Sequence, residues 1–147
     1  MINIKKIIIG VLIILILGLV KLVQAQDGIV IVVNKLNSLN TMSKGQLISI
    51  YRGQDTLWPD GQMIILVNQT MLTQPRNIFY KKVLGVSPAT KFYLPGTMAP
   101  IRTVLQPSDE GVKLFVSNMP NAIGYIGEEA VDDSIKVLKI DDKIVIH

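Results

Sequence analysis

The sequence predicts one α/β domain in which a mixed sheet is flanked by helices. Short continuous runs of β-branched and aliphatic residues, GIVIVV, MIILV and AIGYI, have the length and composition of strands covered on both faces. Between them lie segments with helical apolar spacing and clear start and stop residues. That alternation favours a partly parallel sheet. At 147 residues the chain is long enough for a single core.

The first 25 residues stand apart from this domain. Lys5 and Lys6 precede an apolar run from Ile7 to Val20, and Val23-Gln24-Ala25 closes the stretch. A basic start, a short apolar centre and a small-residue end form the pattern of a secretory leader. Cleavage is expected after Ala25, which leaves a periplasmic domain over 26–147. A spanning helix needs roughly 20 apolar residues, and this run falls short. A retained anchor is the alternative, and it is the one route by which the chain would touch a membrane. Loss of the leader also removes three lysines. The whole chain has 15 bases and 11 acids, net +4, so the remainder is nearly neutral. No clustered positive field is left, which excludes nucleic acid as a partner. There is no cysteine, so the domain rests on its core and carries no thiol for lipid attachment.

The elements follow in order. Asp27 to Asn34 reads as a buried strand, and Asn34 to Asn40 as a polar loop. Ser43 and Gln46 have capping-box spacing. They open a helix with Leu47, Ile50 and Tyr51 on its apolar stripe and a stop near Gly53. Trp58-Pro59-Asp60-Gly61 is a turn, with Pro presetting φ and Gly accepting φ > 0; Trp58 is read as a packing residue. Gln62 to Asn68 is a second strand. A helix from Pro75 to Leu84 presents Ile78, Phe79, Lys82 and Val83 on one face and stops at Gly85. Ser87-Pro88 predicts a further helix reaching Leu94, broken by Pro95-Gly96; Thr97 to Gln106 has no clear pattern. Ser108-Asp109-Glu110 starts a helix with acids suited to its dipole and a stripe of Val112, Phe115, Val116 and Met119. Ala122 to Ile126 is a strand. Ile135 to Ile140 and Ile144 to Ile146, around Asp141-Asp142-Lys143, predict a closing hairpin.

Catalytic chemistry is missing. The one histidine, His147, is the last residue, and no cysteine exists. A nucleophile–base pair or a zinc site therefore has no ligands to use. The carboxylates Glu128-Glu129, Asp132-Asp133 and Asp141-Asp142 are adjacent pairs on turns, which are ordinarily solvated. Neither a Walker loop nor a G-x-G-x-x-G is present. No enzyme activity, cofactor or metal is expected.

Four stretches, DGIVIVVN, MSKGQLISIYRGQDTLWPDGQMIILVNQ, RNIFYKKVLG and NAIGYIG, stand in the order seen in phosphate-type periplasmic substrate-binding proteins of ABC transporters. The chain resembles one lobe of that family, from about Gly28 to Lys139. The resemblance implies a type II periplasmic-binding-protein architecture, reduced to its second lobe. It also implies phosphate or a similar small oxyanion as solute, held where a helix N-terminus offers free amides and hydroxyls. The family's Gly-Ser-Gly-Thr-Arg-like segment corresponds here to Leu72-Thr73-Gln74-Pro75-Arg76. Thr73 falls at the serine and Arg76 at the arginine. Gln74 and Pro75 replace glycine and threonine, and proline brings no N–H. Asn68 and Gln69 fall where the family has a charged residue. Asn68, Gln69, Thr73, Gln74 and Arg76 are therefore the expected ligand-binding set. Plain helix capping is the competing role for Thr73, and a solvated first-turn position that for Arg76. The alternative function is a periplasmic interaction module that has lost its solute and docks on a membrane sensor, porin or transporter.

Overall fold

A computed structural model describes Ile4 and residues 28–147. The leader and the cleavage point after Ala25 lie outside the described residues. Six strands form one sheet: β1 (Ile29–Val33), β2 (Thr41–Met42), β3 (Ile65–Gln69), β4 (Val104–Gln106), β5 (Ala122–Gly127) and β6 (Lys136–Ile140). Their order across the sheet is β2-β6-β1-β5-β3-β4. β1 is antiparallel to both β5 and β6, whereas β3 is parallel to β4 and β5. Within residues 28–147 three α-helices accompany them: α1 (Lys44–Tyr51), α2 (Gln74–Ile78) and α3 (Asp109–Asn118). This is the α/β domain with a mixed, helix-flanked sheet that the sequence predicts.

The alternation along β1 and β5 divides the core in two. Ile29, Ile31, Val33, Ile123 and Tyr125 face Leu47, Tyr51 and Phe79 from the α1 and α2 side. Val30, Val32 and Ile126 face Val112 and Val116 of α3. Successive side chains of a strand point to opposite faces, so a continuous apolar run needs cover on both. The side chain of Ser43 accepts a hydrogen bond from the Gln46 amide, and the Gln46 side-chain carbonyl accepts one from the Ser43 amide, as the capping box predicts. Trp58 is buried and donates its indole N–H to the Asn121 carbonyl at 2.9 Å. Asn34, at the end of β1, donates to the Val116 and Ser117 carbonyls and so satisfies the open end of α3.

Four expectations are corrected. The helix read from Pro75 to Leu84 begins as α2 but widens into a π-helical turn over Phe79–Leu84. The wider turn buries Tyr80 and Leu84 and leaves Lys82 exposed, outside the apolar face assigned to it. Ser87 to Leu94 is not a helix. Leu94 and Ala99 pair at 2.8 Å and Ile101 and Phe92 at 2.9 Å, making a small hairpin over 92–101 with Pro95-Gly96 at its tip. Pro88 and Pro95 supply no N–H to an α ladder. The unassigned stretch after it ends in β4. At the C-terminus the predicted hairpin closes only at its tip, where Ile140 and Lys143 exchange bonds of 2.7 and 2.9 Å. β6 turns at Asp141 and Asp142, both at positive φ, and Ile146 exchanges two 2.9 Å bonds with Ile29 instead.

On the α3 face, Lys113 is buried and reaches Asp132 and Glu110, each at 2.7 Å. Its hydrogen bonds to Asp132 and then Glu110 hold its pKa up. The Lys113 bond, followed by those from Ser134, holds the Asp132 carboxyl below the usual range. A depressed carboxylate stabilises the fold above its unfolded pKa of about 3.9, and that contribution is lost as pH falls through the folded value. The melting temperature is therefore expected to decline below about pH 4. In Asp132→Asn the decline should be shallower when followed by circular dichroism; an identical acid limb would rule this pair out as a contributor.

Candidate functional site

β3 delivers Asn68 and Gln69 to the sheet's carboxyl edge, where β4 also ends, at Gln106, and β5 at Gly127. Ligands of open α/β sheets collect at such an edge. Both β3 residues are buried and already engaged. The Asn68 amide donates to the Tyr80 hydroxyl at 2.7 Å, and its carbonyl accepts from the Tyr125 hydroxyl and the Gln69 amide. Gln69 donates from Nε2 to Asp109 at 2.7 Å and to the Tyr125 carbonyl at 3.1 Å. Burial pushes the Tyr125 phenol well up, so it stays a neutral donor.

Thr73 caps α2, its hydroxyl accepting from the Arg76 amide at 3.4 Å and donating to the Thr70 carbonyl at 3.1 Å. Gln74 is exposed on the first turn. Arg76 turns back over the body of the domain. Its Nε and Nη2 both donate to the Pro88 carbonyl, at 3.0 and 2.7 Å, and Nη1 donates to the Gln69 carbonyl at 2.8 Å. The guanidinium also lies 4.3 Å from the centre of the Tyr80 ring. It joins the end of β3, the π-helical turn and the root of the 92–101 hairpin.

Between these elements lies an open cleft of about 320 Å³. Asn68, Arg76, Tyr80, Thr90, Lys91 and Thr103 are its polar lining. Of the five expected residues, the structure brings Asn68 and Arg76 together here. Gln69 lies buried beside it, and Thr73 and Gln74 lie at the start of α2 outside its walls. Tyr80, Thr90, Lys91 and Thr103 were missed. Only the widened turn buries Tyr80, and Lys91 sits in a stretch that reads as helix. Nothing in the local pattern points to either.

The same architecture occurs in solved structures. An ABC-type phosphate transport receptor from Vibrio cholerae superposes with a TM-score of 0.65 at 27% identity, over 78% of this chain and 46% of that one. The fold matches one lobe of a phosphate-type solute-binding protein. A putative phosphate ABC transporter substrate-binding protein from Clostridium perfringens, solved with bound phosphate, gives 0.65 at 25% identity over 79% and 46%. PstS from Borrelia burgdorferi shares the fold at 14% identity and a TM-score of 0.63. The chain thus spans about half the length of the structures it matches, and those structures are binding proteins. No protein-family model matches the sequence. Among the described residues, no helix is long and apolar enough to cross a membrane.

Proposed function

We propose that this chain is an exported solute-binding lobe that holds phosphate or a similar small oxyanion in the cleft beside Asn68 and Arg76. The observation that carries this reading is the composition of the cleft. Its lining offers two cations, Arg76 and Lys91, with the hydroxyls of Thr90, Thr103 and Tyr80, and contains no carboxylate. A cleft of one sign concentrates counter-ions. Three of the five guanidinium N–H groups of Arg76 are spent on Pro88 and Gln69, and two remain for a ligand. Thr73 and Gln74 act through position, starting the helix that carries Arg76. The phosphate in the Clostridium perfringens structure supports the ligand class. One lobe gives one wall, so affinity is expected near the millimolar range.

Calorimetry of the purified protein against phosphate and sulfate tests this. Lys91 is exposed, so Lys91→Ala should fold normally and weaken phosphate binding by roughly three- to tenfold, as loss of one unshielded charge implies. Neither heat nor a melting shift at about 10 mM phosphate, ten times the expected dissociation constant, would defeat the reading.

A second reading, docking on an envelope protein such as a sensor, porin or transporter, is favoured by the β3–α2 connection. Leu72 is 95% exposed there and Met71 53%, an apolar tip at the edge where solutes bind in such sheets. Leu72→Asp would abolish co-purification with such a partner and leave phosphate binding unchanged.

A further inference from the structure

A second cleft lies on the other side of the 92–101 hairpin. It measures about 580 Å³ and shares only Pro100 and Ile101 with the first. Its walls are apolar, built from Ile50 of α1, Leu66 of β3, and Leu94 and Ile101 of the hairpin. The hairpin is seated closely. A methyl group built on Gly53, which lies at φ +70°, would stand 2.8 Å from the Ile101 Cδ1. The cleft is in the size range of small-molecule sites.

Two charges of opposite sign complete the lining, Asp55 and Arg102. Both are exposed, and neither forms an ion pair with the other or with any other described residue. An apolar trough with one unpaired anion and one unpaired cation is complementary to a zwitterion with an apolar body. We propose that this cleft binds short apolar peptides with free termini. The peptide ammonium meets Asp55, its carboxylate meets Arg102, and its side chains lie against Ile50, Leu66, Leu94 and Ile101. A simple fatty acid would leave Asp55 facing its tail, and a simple amine would leave Arg102 unmatched. The peptide zwitterion satisfies both.

The inference does not rest on oxyanion binding, because the charged groups of the two clefts are different residues. The test is calorimetry of the purified protein with Leu-Leu and Leu-Leu-Leu, each also N-acetylated and C-amidated. The free peptides should bind with a dissociation constant below about 1 mM, and each blocking group should weaken binding by about tenfold. In Asp55→Asn the penalty for N-acetylation should vanish while that for C-amidation persists; in Arg102→Gln the reverse should hold. Lys91→Ala, which weakens phosphate, should leave peptide binding unchanged. No binding at about 5 mM peptide, well above the expected constant, overturns the proposal. So does equal binding of free and doubly blocked peptide, or blocking penalties that neither variant alters.

Discussion

Replacing Phe79 with alanine is expected to cost about 3–5 kcal/mol of folding stability. The ring is fully buried. It stacks on Tyr125 with centroids 4.2 Å apart and planes 10° from parallel, and it meets the Tyr51 ring at 4.6 Å and 61°. Removing it leaves a hole bounded by two rings that cannot collapse together, because each is fixed by its own hydroxyl. Tyr51 donates to the Val67 carbonyl at 3.0 Å, and Tyr125 holds Asn68 and Gln69. Small domains have only about 5–15 kcal/mol in total, so the variant should unfold at much lower urea. Trp58, the one tryptophan and a buried one, reports the transition. Phe79→Leu should lose less, about 1–1.5 kcal/mol. If the alanine variant lost under 1 kcal/mol, the π-helical turn would not be resting on the sheet as described.

The second large effect is expected at Arg76. Arg76→Met keeps the stem of the side chain but removes three charge-assisted donors and the contact with Tyr80. Hydrogen bonds from a charged group are worth about 1.5–3 kcal/mol each. The site is half-buried and water can reach the freed carbonyls, so a total near 2 kcal/mol is expected. The loss should be local. Amide exchange in the 92–101 hairpin is expected to speed up at least tenfold, while β1 and β5 keep their protection. Phosphate binding should disappear with the cleft wall. Arg76→Lys is expected not to restore hairpin protection, because an ammonium is a point charge and cannot fork onto Pro88 while reaching Gln69. Unchanged exchange in the hairpin would mean that it stands without the arginine.

These two positions also mark how far the chain can be read directly. Phe79 is legible as core because it sits on an apolar stripe beside Ile78 and Val83, and burial follows composition. Arg76 is legible as a first-turn cation that belongs to a segment aligned with a known anion motif. Its actual contacts are not legible. Pro88 lies in a stretch where Ser-Pro spacing imitates a helix start, and no local rule distinguishes that from the base of a hairpin. Tyr80 and Lys82 exchanged places for the same kind of reason: a single widened turn shifts the buried face by one residue, which sets Phe79 on Tyr125 and Tyr80 beside Phe92.

The sequence by itself determined β1, β3, β5 and β6, the two capped helices α1 and α3, and their order along the chain. Each of these depends on side chains a few residues apart, and burial of continuous apolar runs leaves them little choice. It also shows one histidine, His147, and no cysteine. Only the tertiary structure decided the antiparallel insertion of β1 between β5 and β6, the return of Ile146 to Ile29, and the two clefts on either side of the hairpin. Those depend on which distant groups satisfy one another's hydrogen bonds and volumes. The carbonyl of Pro88 and the guanidinium of Arg76 are matched across 12 positions, a pairing that exists only once the chain has folded.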